Sequence, residues 1–535
     1  MQKSYKTPLI FACAIIIATV VSCISAGAGL SPQRGTIDED VQYSGQEDNS
    51  LTKAVLVPRR GDILDCKGRT LATMTDVYDI YFDTTLLQDE AEWEKKADVL
   101  STGLAEILGT CSKEEFYSYL SDGRKAGKRY LNIQRYVSSD TLDELKKLPF
   151  FDMESRDGGM ILEKRQVRVY PYDSLARRTI GFVRNNLEMN NSHVGIEGRF
   201  DDILTGSYGY ETFKFASNEE HSGSAGVGRE VIARRDSVPG RVVRTTLDID
   251  LQMKADSVLR SHIEDIEVIA GACLVLSDVK TGAIRSMVNL VRAGDGSLGE
   301  YSNIAIGRSY EAGAMLSPAV DIASSRCGER SFSVDAFYNR KDASFIEALR
   351  SIILGGSWDR DAWDLEGLGR FHCASPSDPD WSRSDLESIG KGISIEATAL
   401  DYLMLYTAIA RGGRGVRLYL VQRGSEERYR LCSKRQAATL AESLLESASQ
   451  NERLYGTVRT VAGITGSSFI VLENGRYASE DGSKSVQSSF SGFFPAGDPE
   501  YGVTCMIYTK PATDFGAATG TPSKVVSDFV NCLYE

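Results

Sequence analysis

Ser50-Leu51-Thr52-Lys53 and Ser277-Asp278-Val279-Lys280 each place a serine three residues before a lysine. On a helix that spacing sets a hydroxyl and an amine on one face, a turn apart, so that the amine can take the proton of an attacking hydroxyl. Neither stretch reads as a helix. The first lies in a polar linker; the second runs from a strand end into a turn, where side chains alternate between faces. Both are read as chance spellings. Ser467 and Ser468 have no neighbouring base. His193, His221, His262 and His372 are scattered without metal-ligand spacing, and none of the 10 cysteines forms a Cys-x-x-Cys pair. No metal and no cofactor are expected. Cys273 and Cys505 sit in apolar, strand-like runs and read as small buried hydrophobes. Disulfides stay open for an exported domain, with no pairing assignable from sequence.

The elements that would position any chemistry come in two modules, as a length of 535 residues suggests. The formal net charge of -13 argues against a nucleic-acid partner. At the N-terminus, Lys3 and Lys6 precede an uncharged stretch from Thr7 to Gln33, apolar from Pro8 to Leu30. Its length suits a bilayer-spanning anchor with the N-terminus inside. A cleaved signal peptide, and a lipoprotein box at Val20-Val21-Ser22-Cys23 with Cys23 as lipid site, are the alternatives. Ser31 to Ser50 reads as a polar, acidic linker. Beyond it, strand-like runs such as Val77–Phe82 alternate with helical ones such as Glu92–Leu108. A second module begins near Gly240. There Val242–Leu247 reads as a strand, Asp248 or Asp250 as a helix cap, and Ala272–Val279 with Ala283–Leu290 as a hairpin around Lys280-Thr281-Gly282. Ser489–Phe494 and Gly502–Thr509 read as later strands. A terminal helix is predicted from a Thr521 cap with Pro522 at its first position. This order predicts helices packed on an antiparallel sheet.

Several short motifs carry a family resemblance. They are Arg60-Gly61-Asp62-Ile63-Leu64-Asp65 with Gly68-Arg69-Thr70-Leu71-Ala72-Thr73, Arg168-Val169-Tyr170-Pro171, Gly195-Ile196-Glu197-Gly198, Thr245-Thr246-Leu247-Asp248, Asp278-Val279-Lys280-Thr281-Gly282 and Phe490-Ser491-Gly492-Phe493-Phe494-Pro495. In this order they resemble the class B penicillin-binding proteins, closest to the division-specific branch. The resemblance implies a multidomain α+β chain. Residues 1–30 would form a cytoplasmic tip and transmembrane helix, 31–52 a linker, and 53–235 a mixed α/β, dimerisation-type pedestal. Residues 240–535 would form a transpeptidase domain like the serine β-lactamases. It implies an inner-membrane protein with its bulk in the periplasm.

That family acylates a serine with a peptidoglycan stem peptide, using Ser-x-x-Lys, Ser-x-Asn and Lys-Thr-Gly motifs. Here the frame Tyr310-Glu311-Ala312-Gly313-Ala314-Met315-Leu316-Ser317-Pro318 puts Ala314 at the nucleophile position and Ser317 at the lysine position. Ser351-Ile352-Ile353 falls at the second motif, with Ile353 for its asparagine. Ile464-Thr465-Gly466 falls at the third, with Ile464 for its lysine. Alanine offers no oxygen to acylate. Losing a lysine–carboxylate bond weakens binding by ~1.5–3 kcal/mol. The expectation is therefore a catalytically inactive scaffold or regulator of cell-wall synthesis, with an active D,D-transpeptidase as the alternative. Expected partners are membrane proteins of the wall-synthesis or division machinery, a polytopic glycan polymerase foremost. A weak peptidoglycan contact along Gly463–Ser468 by strand addition is a further option.

Overall fold

The structure is a computed structural model that describes residues 51–86, 89–152, 159–183, 194–216, 228–264, 266, 268–355, 369–421, 428–470, 484–509 and 515–535. The expected anchor, the lipid site at Cys23 and the linker up to Ser50 lie outside the described residues. No helix among the described residues is long and apolar enough to cross a membrane.

The chain opens with strand β1 (Leu51–Leu56) and the long β2 (Thr70–Phe82). Helix α1 (Glu90–Leu108) is capped by the Asp89 carboxylate and α2 (Lys113–Lys125) by a Ser112–Glu115 capping box. Strands β3 (Leu131–Val137) and β4 (Met160–Val169) flank β2 on either side, both antiparallel to it. Trp93, Leu100 and Leu104 of α1 pack with Phe82 and Phe150 into a core of their own. Strands β5 (Gly209–Ala216) and β6 (Gly228–Arg235) complete a separate three-stranded sheet in the order β1–β5–β6. The strand expected at Val77–Phe82 and the helix expected at Glu92–Leu108 are therefore present, each starting earlier than their apolar periodicity shows.

An ion-pair network ties these parts together. The Glu197 carboxylate is fully buried and accepts from Arg60 at 2.8 Å and from Arg168 at 2.7 Å. Arg168 also donates to the Gly61 carbonyl, and Arg60 to Asp201. The stretch predicted as a strand over Val242–Leu247 pairs as one only at Val243–Arg244, parallel to Ile63–Leu64. Beyond it the Thr246 amide turns away to the Leu420 carbonyl, so this run stitches the first module to the second instead of extending a sheet.

The second module is a six-stranded sheet between two helical layers. Helix α3 (Ile249–Ile263), capped by Asp248, leads into the hairpin β7 (Val268–Asp278) and β8 (Ile284–Arg292). Helices α4 (Ser317–Arg326), α5 (Asp342–Ile353), α6 (Ala399–Ala410) and α7 (Lys434–Ser449) follow. Then come β9 (Ala462–Phe469), β10 (Val486–Phe494), β11 (Tyr501–Thr509) and helix α8 (Phe515–Tyr534). From the short strand Leu298–Gly299 the sheet runs β8–β7–β11–β10–β9, so β9 is an edge. Val525, Val526 and Phe529 of α8 and Leu251, Ala255 and Leu259 of α3 cover one face. Residues of α4, α5 and α6 cover the other. The last helix starts at Phe515, not at Thr521, and carries Pro522 inside it, so the helix continues although residue 522 has no amide to bond. Cys273 and Cys505 are fully buried as expected, but in the two opposite cores, one on each face of the sheet. Burial pushes both thiols up, and the described cysteines are all free.

Candidate functional site

Ala314 lies in a short 3-10 turn, Gly313–Leu316, that runs straight into α4 with Pro318 near its start. Three contacts hold this turn. The Gly313 amide donates to the Gly392 carbonyl at 3.1 Å, and the Tyr406 hydroxyl donates to the Met315 carbonyl at 2.7 Å. The turn also lies directly against β9. A Cβ on Gly466 would stand 1.9 Å from the Ala312 carbonyl oxygen, and one on Gly313, whose φ is +57°, 2.5 Å from the Ser467 carbonyl oxygen. Two glycines therefore let the backbones meet, and this brings Ala314 beside Thr465 and Gly466 although the chain separates them widely.

Between them is a groove of about 520 Å³ lined by Gly313, Ala314, Lys391, Ile393, Ser447, Gln450, Asn451, Thr465, Gly466, Ser467 and Gly520. Of the positions singled out in the sequence, Ala314, Thr465, Gly466 and Ser467 line it. Ala314 and Ser317 are exposed. Ile464 shares the face of β9 that Gly466 presents to the turn and packs, half-buried, against the larger core without lining the groove. Ser351 sits on the last turn of α5, and Ile353 is fully buried in that core; neither lines the groove. The chance Ser-x-x-Lys at Ser277 is equally remote, its hydroxyl buried against Thr407.

Lys391 and Ile393 reach the groove from the loop after the helix Arg383–Gly390, which a Ser382–Asp385 capping box starts. The Gly390-Lys391-Gly392 spelling was the available signal. Gly392, at φ +77°, folds that loop against the turn of Gly313. Gln450 and Asn451 come from the end of α7 and carried no local signal. Among the described residues, Lys391 is the one ionisable residue in the lining. Its amine pairs with Glu387 at 2.7 Å, an exposed pair one turn away, and makes no hydrogen bond to Ser447, Thr465 or Ser467. A hydroxyl nucleophile needs such a base within reach. As it stands, the lining can donate and accept hydrogen bonds and offers one cation. The outer edge of β9 makes no backbone hydrogen bond among the described residues beyond its pairing with β10.

A larger polar cleft, about 880 Å³, lies between α1 and α2 in the first module. Its charges are largely used on each other, Arg124 with Glu90 at 2.9 Å and Lys113 with Asp98 at 2.8 Å. Among the described residues it holds no hydrogen-bonded nucleophile–base pair, and the groove beside Ala314 is the better candidate.

Comparison with known proteins agrees with this architecture. Residues 55–245 match the model of the penicillin-binding protein dimerisation domain, and residues 372–528 that of the penicillin-binding protein transpeptidase domain. The second match begins after Ala314 and Ser351. The probable peptidoglycan D,D-transpeptidase PbpC of Pseudomonas aeruginosa is 23% identical over 512 residues, covering 87% of this chain and 84% of that protein. The peptidoglycan D,D-transpeptidase MrdA of Acinetobacter baumannii is 24% identical over 304 residues, which are 54% of this chain and 40% of MrdA. The chain thus spans under half the length of MrdA. Among solved structures, penicillin-binding protein 2X from Streptococcus thermophilus superposes with a TM-score of 0.64 at 18% identity, covering 90% of this chain and 80% of that one. A complex of penicillin-binding protein PBP2 with MreC from Helicobacter pylori gives 0.59 at 15% identity, covering 91% and 99%. With a dimerisation-domain match followed by a transpeptidase-domain match on a mixed α+β fold, the chain has, at the level of the family, the domain architecture of a class B penicillin-binding protein.

Proposed function

We propose that this protein is a membrane-anchored member of the cell-wall synthesis machinery that acts as a catalytically inactive scaffold or regulator. One observation carries the proposal: the exposed residue at the turn beside β9 is Ala314, which has no oxygen to acylate. The half-buried Ile464 and the exposed Ser317 support it, since neither supplies the cation that activates a serine or binds a carboxylate. The names of the relatives favour an active D,D-transpeptidase, which stands as the alternative. The fold shared with a PBP2–MreC complex supports envelope proteins as partners.

A β-lactam decides between the two. The full chain in detergent is incubated with a fluorescent penicillin and measured by intact mass. No adduct is expected. A covalent adduct stable to denaturation overturns the scaffold reading. The combined variant Ala314→Ser, Ser317→Lys, Ile464→Lys is expected to recover little acylation, because Ser351 and Ile353 sit outside the groove.

A second reading, weak binding of stem peptides, has one specific support. β9 is an edge strand with its outer backbone groups available beside an open groove, the arrangement used in strand addition. Binding without acylation is compatible with the scaffold.

A further inference from the structure

The sheet β1–β5–β6 has one closed and one open face. On the closed face, Gly209, Glu211 and Phe213 are buried. On the open face, residues that stand opposite one another in the register form rows: Val55 with Tyr210 and Arg235, and Lys53 with Thr212 and Ala233. Val57 and Tyr208 extend these columns by one step. Val55 is 56% exposed, Val57 63%, Tyr208 56% and Tyr210 36%. Four large apolar side chains on one flat surface differ from scattered exposed residues. A sheet normally covers its apolar face with a second layer.

The charges within the rows of this strip are positive. Lys53 and Arg235 stand in its rows, and no carboxylate occurs in the rows from Lys53 to Val57. The Lys53 amine lies 4.7 Å from the centre of the Tyr210 ring, over the apolar surface. The chain as a whole carries -13, so an acidic partner is repelled elsewhere and accepted here. Three strands span about 10 Å and the run from Lys53 to Val57 about 14 Å, the footprint of roughly two to three turns of one helix.

The geometry points to this face as the docking surface for an amphipathic helix of a partner protein, with an apolar stripe flanked by carboxylates. The inference rests on the scaffold reading and names its surface. An anionic bilayer would also meet the cations, and lipid adducts in the test below would assign the face to it.

The test uses the full chain in its own membrane, with the photo-cross-linker p-benzoylphenylalanine placed singly at Val57, Tyr208, Tyr119 or Tyr455. Tyr119 lies on α2, and Tyr455, 63% exposed, in the second module. Adducts are digested and the captured segment is sequenced by mass spectrometry. The expected result is one segment, captured from Val57 and Tyr208 and not from Tyr455, with apolar residues at helical spacing beside Asp or Glu. Its yield should fall about tenfold in the doubly substituted Lys53→Glu, Arg235→Glu chain, a loss of about 1.4 kcal/mol. Both positions are exposed, so the fold is retained, and unchanged melting of that variant verifies it. Lipid adducts, a captured segment without carboxylates, or a yield indifferent to charge reversal overturns the inference. Capture from Tyr119 alone overturns this surface and leaves the scaffold reading standing; no capture from any of the first three positions overturns both.

Discussion

Replacing Glu197 by glutamine should destabilise the first module more than any surface charge change. The Glu197 side chain is 0% exposed, while Arg60 and Arg168, which it binds at 2.8 and 2.7 Å, are 12% and 10% exposed. Glutamine keeps the volume but removes the charge that two buried guanidiniums share. Removing one partner of a buried ion pair costs about 3–5 kcal/mol, because the remaining charge is left uncompensated. Some compensation survives here. Arg60 keeps Asp201 at 2.6 Å, and Arg168 keeps the Gly61 carbonyl at 2.8 Å. The lower end, about 3 kcal/mol, is therefore expected, which for a module of this size lowers Tm by roughly 6–12 °C. Differential scanning calorimetry of the full chain in detergent measures it. Lys147→Ala is the control: its pair with Glu144 is 68% and 60% exposed, and such pairs contribute about 0–1 kcal/mol. If Glu197→Gln melts within about 2 °C of the parent, or no lower than Lys147→Ala, the network does not hold the module together and the reasoning fails.

Two further outcomes follow from packing and burial. Gly466→Ala should lower the denaturant midpoint of the second module, by an overpacking cost of about 1–3 kcal/mol, because the new methyl meets the Ala312 carbonyl at 1.9 Å; an unchanged midpoint means that the turn of Ala314 is not seated on β9. Glu300 is buried and accepts from the amides of Arg178 and Asn289, and burial pushes its carboxyl from an ordinary 4.5 up to about 8. Between those pH values the unfolded chain has released a proton that the folded chain keeps, so stability falls as pH rises from about 4.5 to about 8. Chemical denaturation at pH 5 and pH 8 should therefore show the parent losing more stability than Glu300→Gln, and parallel losses would refute the assignment.

What the sequence determined by itself is local or patterned. The strands at Val77–Phe82 and Gly502–Thr509, the Asp248 cap and the burial of Cys273 and Cys505 all follow from apolar periodicity or capping chemistry, which act within a few residues. The identity of Ala314 is likewise a fact of sequence, and with it the absence of an oxygen there. Tertiary structure decided the rest. No local rule shows that Pro522 is passed through, that Val242–Leu247 leaves the sheet after Arg244, or that Ile353 is sealed in a core instead of facing the groove. Nor does any local rule join Lys391, Gln450 and Asn451 to Ala314. Those outcomes depend on close approaches between distant backbones, at Gly313, Gly392 and Gly466. A glycine records only that a side chain is absent, while the segment that fills the space is chosen by the packing of the whole domain.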